Sequence, residues 1–447
     1  MSSPIMTPSR SQPVHEAGDR GAWMHALLRR LFPICRSLAG PGNRETLRVL
    51  GETLPLKITD VPTGTKVFDW VIPEEWTPRA AEITGPDGRI HARFADHNLH
   101  LVSHSEPIDL KLDREELLGH VYSLPQQPDI VPYVTRYYKR GWGFCMTEHE
   151  RSDLLPGKYR ARIDADLKPG ALSFGEALLP GDNPSEVLVS TYMCHPSMAN
   201  DNLSGVVAAS GLYHALAARS RRRFSYRFLF VPETIGSIAW LWNNRDIVKG
   251  RTAAGLVLSC VGNEGPFTWK ESRLGNTFMD RVMFVAGGER MKFTPVTGSD
   301  ERQFCSPGFD LPVVMLSRNY PGTFPFYHTS ADTPEKTPPA ALAATLVWLE
   351  RICDTIERSP VQYRRTDPHG EPMLSRHGLY HTLSRRKESG FDRVKDPRSA
   401  MMWVLSFSDG NHDLLAIAEH SGLSIDALAG AAEQALAAGL IEAVTPA

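Results

Sequence analysis

The spacing of apolar side chains changes several times along the 447-residue chain, and each change predicts a different kind of element. Residues 1–20 are polar, with several Ser and Pro, and predict a disordered tail. Residues 22–36 (AWMHALLRRLFPICR) place apolar side chains at helical spacing, Gly40-Pro41-Gly42-Asn43 interrupts it, and 44–53 predicts a second helix. Between 55 and 110 the period falls to two. Val67-Phe68-Asp69-Trp70-Val71-Ile72 and Ile90-His91-Ala92-Arg93-Phe94 alternate around turn signals such as Gly85-Pro86-Asp87-Gly88, which predicts a small antiparallel β module. From about 113 to 358, strand-like runs at 186–194, 224–231, 255–261 and 312–317 alternate with helical stretches at 203–218, 236–248 and 338–358. This alternation predicts a mixed, mostly parallel sheet flanked by helices.

The remaining chain is of another kind. Residues 359–399 are rich in Pro, Arg and His and predict a connector. Helices are expected at 401–407, 413–420 and 425–438, with Ser421-Gly422-Leu423 as a tight turn and a short strand at 439–444. Helix, helix–turn–helix and strand make a winged-helix outline. The expected organisation is therefore an α/β domain from 21–54 and 111–360, a β module at 55–110, a connector at 361–399 and a winged-helix-like module at 400–447. The β module reads equally as an insertion or as an N-terminal extension.

Composition narrows the function classes. The charges nearly cancel, 49 basic against 51 acidic residues, which gives no electrostatic case for nucleic acid or an anionic membrane as the main partner. Residues 400–447 contain no Lys or Arg, against Asp409, Asp413, Glu419, Asp426, Glu433 and Glu442. Phosphate contact needs cations, so the winged helix is expected to pack on the main domain or to meet a protein, without DNA. No apolar run reaches the roughly 18 residues of a membrane span. The six cysteines are widely spaced with no C-x-x-C pair, as in reduced, cytoplasmic proteins. Homo-oligomerisation is left open.

Candidate chemistry gathers at the ends of the apolar runs, where open α/β sheets collect functional groups. The run ending at Tyr192 delivers His195, followed by Asp201; that ending at Pro232 delivers Glu233; that ending at Ser259 delivers Cys260; and the 312–317 run with its following loop delivers His328. Each has a bland alternative: Asp201 as a helix N-cap, Glu233 as a surface residue, Cys260 as a small buried hydrophobe, His328 as a structural loop residue. Together they offer the imidazoles and carboxylates that zinc prefers. Tyr138 and Trp142, in an aromatic and basic stretch, are candidate substrate contacts. Arg302 and Arg318 could hold a substrate carboxylate, and Tyr327 could donate to a tetrahedral intermediate.

These residues resemble the M28-type zinc aminopeptidases, a zinc-exopeptidase (phosphorylase/hydrolase-like) fold with a mixed central sheet. The resemblance rests on His195, on Asp201-Asn202-Leu203-Ser204-Gly205, on Ser299-Asp300 with Phe304 and Gly308-Phe309-Asp310-Leu311-Pro312, and on Tyr327-His328-Thr329-Ser330-Ala331-Asp332. It covers roughly residues 113–358. Over nearly the whole chain the arrangement resembles a bacterial aminopeptidase-like group of unknown function (DUF4910/DUF2172) with a C-terminal winged helix. The resemblance implies His195, Asp201 and His328 as metal ligands and Glu233 as the catalytic base; Tyr327, directly before His328, is the further catalytic candidate and Asp300 a substrate-binding one. Two positions depart from the family pattern. The family's Glu-Glu pair reads Glu233-Thr234, and Ser259-Cys260 stands where a ligand Asp is expected, leaving Glu233 and Cys260 as further near-site or metal candidates. One ligand of each of two metals is thus replaced, which favours one zinc ion over two. The expected function is a zinc-dependent aminopeptidase or amide hydrolase acting on a small peptide or amino-acyl substrate. The alternatives are a specialised amide-modifying enzyme of a biosynthetic pathway and a non-catalytic binding or scaffold protein.

Overall fold

The computed structural model describes residues 17–379 and 397–444. Most of the expected tail and part of the expected connector lie outside the described residues. The chain divides into two units, Met1–Gly275 with Glu289–Trp348, and Asn276–Gly288 with Leu349–Ala447.

The first unit is built on an eight-stranded sheet. Its centre is four parallel strands, in the order Phe224–Val231, Asn183–Tyr192, Thr252–Leu258 and Val313–Arg318. Antiparallel pairings extend both edges, with Ala171–Leu179 and Lys57–Pro62 on one side and Phe267–Lys270 on the other. The central strands read as near-continuous apolar runs because both of their faces are covered; from Glu186 to Tyr192 every residue is buried. On one face Leu188, Leu229, Val231, Val257, Val313 and Met315 pack against the helix Ile235–Asn244 through Ile238 and Trp240. The helix Ser204–Ala217 contacts the central strands too. It starts so close to them that only glycine fits at 205, where a Cβ would stand 2.5 Å from Thr191 Oγ1 and 2.7 Å from the Leu258 carbonyl.

A second, four-stranded antiparallel sheet runs Ile90–His91, Glu75–Thr84, Lys158–Lys168, Ile108–Asp113. It departs from the module expected at 55–110 in two ways. Lys57–Pro62 joins the large sheet, and the central partner of the small one, Lys158–Lys168, comes from much later in the chain. That strand alternates buried and exposed positions, but a non-local pairing leaves no turn signal by which its partner could be read. The helix predicted at 22–36 is Ala17–Leu31. It starts inside the expected tail and ends before Pro33, which restricts the backbone of the residue preceding it.

The second unit carries the helices Pro397–Phe407, Leu414–Ser421 and Ile425–Ala437 and a three-stranded sheet. The turn between the last two helices uses Gly422 in the left-handed region, with Asp413 and Ser424 as side-chain N-caps. The centre of the sheet is Gln362–Arg365. The expected connector therefore begins with a strand of the winged helix, and that strand brings Arg364 and Arg365 into a module otherwise without cations from 400 to 444. Among the described residues no helix is long and apolar enough to cross a membrane.

Candidate metal centre and its cleft

His195, Asp201 and His328 converge beyond the ends of the parallel strands. Among the described residues theirs is the group of metal-capable side chains whose ligand atoms lie within 4.8 Å of one another. Each is held by backbone contacts that start far away in sequence. The carbonyl of His195 accepts two bonds from Arg36, from Nε at 3.1 Å and Nη2 at 2.9 Å, while Arg36 Nη1 donates to Leu31 O at 2.6 Å. Arg36 is fully buried, and burial lowers its pKa to about 10. The backbone N–H groups of Asn200 and Asp201 are taken by the carboxylate of Asp332 at 2.7 and 2.8 Å. The Asp201–Asn202 peptide is cis. Asn202 Oδ1 accepts from Cys260 N, Ser204 Oγ from Val261 N and Asn200 Oδ1 from Gly262 N, each at 2.9–3.0 Å. The Asn and Ser side chains around Asp201 thus satisfy the backbone of the neighbouring strand end, a physical reason for that stretch of sequence. His328 is left-handed, with φ 54°, and its carbonyl accepts from Tyr133 N at 2.9 Å. The same two segments are joined again where Ser330 N donates to Val131 O and Val131 N to Ser330 Oγ, at 2.8 and 3.0 Å.

The electrostatics suit a cation. Burial is the main cause that lowers the His195 imidazole to about 4, so it is neutral near pH 7, as a metal-binding imidazole must be. Asp201 is fully buried. Burial alone would raise its pKa, but His195, His328 and the Tyr192 hydroxyl outweigh that and hold it well below the usual carboxylate range. Tyr192 O–H donates to Asp201 Oδ1. Asp201 Oδ2 is buried without a hydrogen bond of proper geometry, and His328 Nε2 stands 2.8 Å from it. Two imidazoles and an ionised carboxylate with an unsatisfied oxygen fit zinc.

Glu233 stands beside this group and outside it. Its Oε2 is 3.9 Å from His195 Nε2, and its Oε1 accepts from Ser299 Oγ at 2.6 Å. Burial first, then the charge of Asp300, push its pKa up to about 8. Thr234, in the position of the family's second Glu, has φ 62° and ψ −71°. Ile235 N donates to Glu233 O at 2.7 Å across it, so Glu233 sits in a γ-turn of the rare, strained hand. Asp300 secures that turn, its Oδ1 accepting from Thr234 N at 2.7 Å and Ser237 Oγ at 3.0 Å. Cys260 is buried and left-handed, 4.0 Å from the Tyr192 hydroxyl through Sγ, and it too stands outside the ligand group.

The other expected site residues divide. Tyr138 lines the cleft of about 290 Å³ that holds His195, Glu233 and His328, together with Trp70, Tyr133 and Tyr137. Tyr327 stacks on His328 at 4.0 Å and lines a neighbouring hollow that shares Tyr133 and His328 with the cleft. Asp300, expected at the substrate, is wholly buried beneath the Glu233 turn. Trp142 stacks on His120 at 3.7 Å within the core of the small sheet. Arg302 donates to Ser299 O at 3.1 Å, and Arg318 to Gly265 O and Ala341 O at 2.9 and 3.1 Å, so both guanidinium groups are engaged in holding backbone. Sequence reasoning missed Arg36, Tyr192, Tyr133 and Ser299. Only Ser299 carried a signal, its place before Asp300.

The fold is that of the M28-type zinc aminopeptidases. A crystal structure of a Bacillus subtilis zinc aminopeptidase superposes with a TM-score of 0.57 at 13% identity, covering 77% of this chain and 96% of that one. The chain belongs to the DUF4910 family, described as a domain of unknown function, whose model matches residues 25–359; residues 361–443 match a winged helix-turn-helix model. A Clostridium acetobutylicum protein, provisionally named for polysaccharide biosynthesis and an aminopeptidase-like domain, is 38% identical over 426 residues, 94% of this chain and 96% of that protein. A crystal structure from the same species, provisionally named a peptidase, has a TM-score of 0.88 at 36% identity and covers 96% of this chain and 98% of its own.

Proposed function

We propose that the chain is a zinc-dependent amide hydrolase of aminopeptidase type, acting on a small peptide or amino-acyl substrate with one ion held by His195, Asp201 and His328. The observation that carries the reading is the convergence of those three ligand atoms within 4.8 Å, with the Glu233 carboxylate on the same cleft. Zinc held there would polarise a carbonyl and lower the pKa of water. Glu233 is the proton carrier. A cation at the adjoining site would favour the ionised form of Glu233 over the raised pKa it has without one, and Ser299 fixes Oε1, which leaves Oε2 to take a proton from attacking water and return it to the leaving amine. Tyr192 and Asp332 hold Asp201, and Arg36 holds His195, so the metal-binding side chains are positioned before substrate arrives. Tyr327, stacked on His328, is the candidate donor to the developing oxyanion. Among the described residues none of the six cysteines forms a disulfide, which supports a reducing, cytoplasmic setting.

A specialised reaction on a biosynthetic intermediate is the second reading. It is favoured by Thr234 and Cys260 in the place of two carboxylates, and by the name of the Clostridium acetobutylicum relative. The test is metal analysis of the purified protein with turnover of amino-acyl amides and of N-acylated sugars. One zinc per chain is expected, lost in His195→Ala and His328→Ala, with Glu233→Gln keeping zinc but losing turnover. A chain that binds no zinc, or whose turnover survives all three substitutions, would sink the hydrolase. Zinc without turnover of either substrate set would favour a binding role.

A further inference from the structure

Behind the aromatic wall of the cleft lies a second hollow of about 210 Å³, and Tyr137 and Tyr138 line both. The remaining wall of the hollow presents Arg136, Lys139 and Arg140 against a single carboxylate, Glu74. Glu74 is paired with Arg140, and Glu106 lies 3.6 Å from the same guanidinium, so that cation is neutralised. Arg136 donates Nη2 to the uncharged Tyr122 hydroxyl at 2.9 Å. Neither Arg136 nor Lys139 has an ion pair among the described residues, so two positive charges face the hollow uncompensated. The chain accommodates the Arg136 group at Gly141, where φ is +140° and a Cβ would stand 2.8 Å from Arg136 Nη1.

Two further atoms in this lining are buried with no hydrogen-bond partner, Arg136 Nε and His104 Nε2. His104 is 4% exposed. Its ring is fixed by stacking on Trp76 at 5.7 Å and by the edge of Tyr137 at 5.1 Å. Unpaired buried polar atoms cost free energy unless something meets them. A guanidinium fork, an ammonium and an imidazole around one small hollow match the several acceptor oxygens of a phosphate. The two uncompensated charges match a phosphate's charge of about −1.5 to −2, whereas a carboxylate would leave one cation unmatched.

We propose that this hollow is a phosphate subsite, which takes the phosphate group of a phosphorylated substrate whose amide lies in the adjoining cleft. The assignment of that phosphate to the substrate rests on the hydrolase reading above, whereas the phosphate site itself does not. The test is calorimetric titration of the full chain with inorganic phosphate at low ionic strength, on wild type, Lys139→Glu, Lys139→Ala and His328→Ala. Binding should weaken at least about tenfold in Lys139→Glu, the equivalent of one lost charge-assisted bond, and less in Lys139→Ala. In His328→Ala it should stay within about twofold, because His328 does not line the hollow. No phosphate binding by folded wild type, or binding that Lys139→Glu leaves intact, overturns the site. For the substrate, phosphorylated acyl-amides should be preferred over unphosphorylated ones in kcat/KM, and Lys139→Glu should abolish the preference through KM. Phosphate binding without that preference overturns the assignment to substrate and keeps the site.

Discussion

Asp300 does two things at once for the Glu233 turn, and two substitutions separate them. Its pKa is pushed up to about 7 from an ordinary 3.8, chiefly by burial, with the Thr234 N–H and Ser237 hydroxyl opposing and Glu301 adding to the rise. A carboxyl raised in this way contributes stability that is fully present below about pH 4 and lost as pH rises through about 7. A rise from 3.8 to about 7 is worth at most about 4 kcal/mol, at about 1.4 kcal/mol per pH unit. Glu233 is raised partly by the charge of Asp300, so the titration belongs to the pair. Other buried groups titrate over the same range, Asp332 raised and His97, His104 and His195 lowered, so the quantity to read is the wild-type minus Asp300→Asn stability, which in metal-free protein should fall by about 2–4 kcal/mol between pH 4 and 8. Asn keeps an acceptor for Thr234 N–H and Ser237. Asp300→Ala empties both buried donors, at about 1–3 kcal/mol each, which exceeds the roughly 1–3 kcal/mol stored in one strained backbone residue. The turn should therefore hold in the Asn variant and relax in the Ala variant. Urea unfolding at each pH unit from 4 to 8 measures both effects. An Asp300→Asn curve parallel to wild type, or an Ala variant as stable as the Asn variant, would rule out this double role of Asp300.

Further outcomes follow from other contacts. Arg36→Met leaves the buried His195 carbonyl without its donor and Leu31 O with Ile34 N alone, and should cost about 1–3 kcal/mol after the relief of burying a cation. It should also weaken zinc about 10- to 100-fold in chelator competition, and unchanged zinc affinity would contradict the positioning role. Lys270 and Glu301 form an ion pair at 2.8 Å with both side chains fully buried. Lys270→Met should cost about 3–5 kcal/mol in urea unfolding, and Lys270→Met with Glu301→Leu should recover much of it; a double variant no better than the single one would argue against the pair. The full chain should not bind duplex DNA in a low-salt gel shift, because the helix Ile425–Ala437 carries Asp426 and Glu433 and no cation. Arg364 and Arg365 on the neighbouring strand are where a contrary result would be traced.

The parallel core was legible because its strands are buried on both faces and so write themselves as unbroken apolar runs. The run at 224–231 coincides with the strand Phe224–Val231. The small sheet was legible only in part, since Glu75–Thr84 pairs with Lys158–Lys168, a strand from much later in the chain. His195, Asp201 and His328 could be named because strand ends collect them. The direction in which a carboxylate points could not. Asp300 and Glu233 are both acids at loop-to-helix transitions, yet one is sealed under the turn and the other opens on the cleft. Arg36 gave no sign, because at the end of the helix expected at 22–36 an arginine that turns inward reads like one that faces water; the helix in fact stops at Leu31 and Arg36 lies in the loop beyond it.

The pairing of Val131 with Ser330 and of Tyr133 with His328 ties the aromatic wall of the cleft to one of the proposed ligands. The wall and His328 are in that sense one mechanical part. If a substrate shifts Tyr133 or Tyr137, the imidazole moves with it, and the free energy of occupying the cleft enters the free energy of holding the metal. Thermodynamic reciprocity then requires that the metal alter substrate affinity by the same factor. A spectroscopic ion such as cobalt, substituted for zinc, would report cleft occupancy from a site the substrate need not touch.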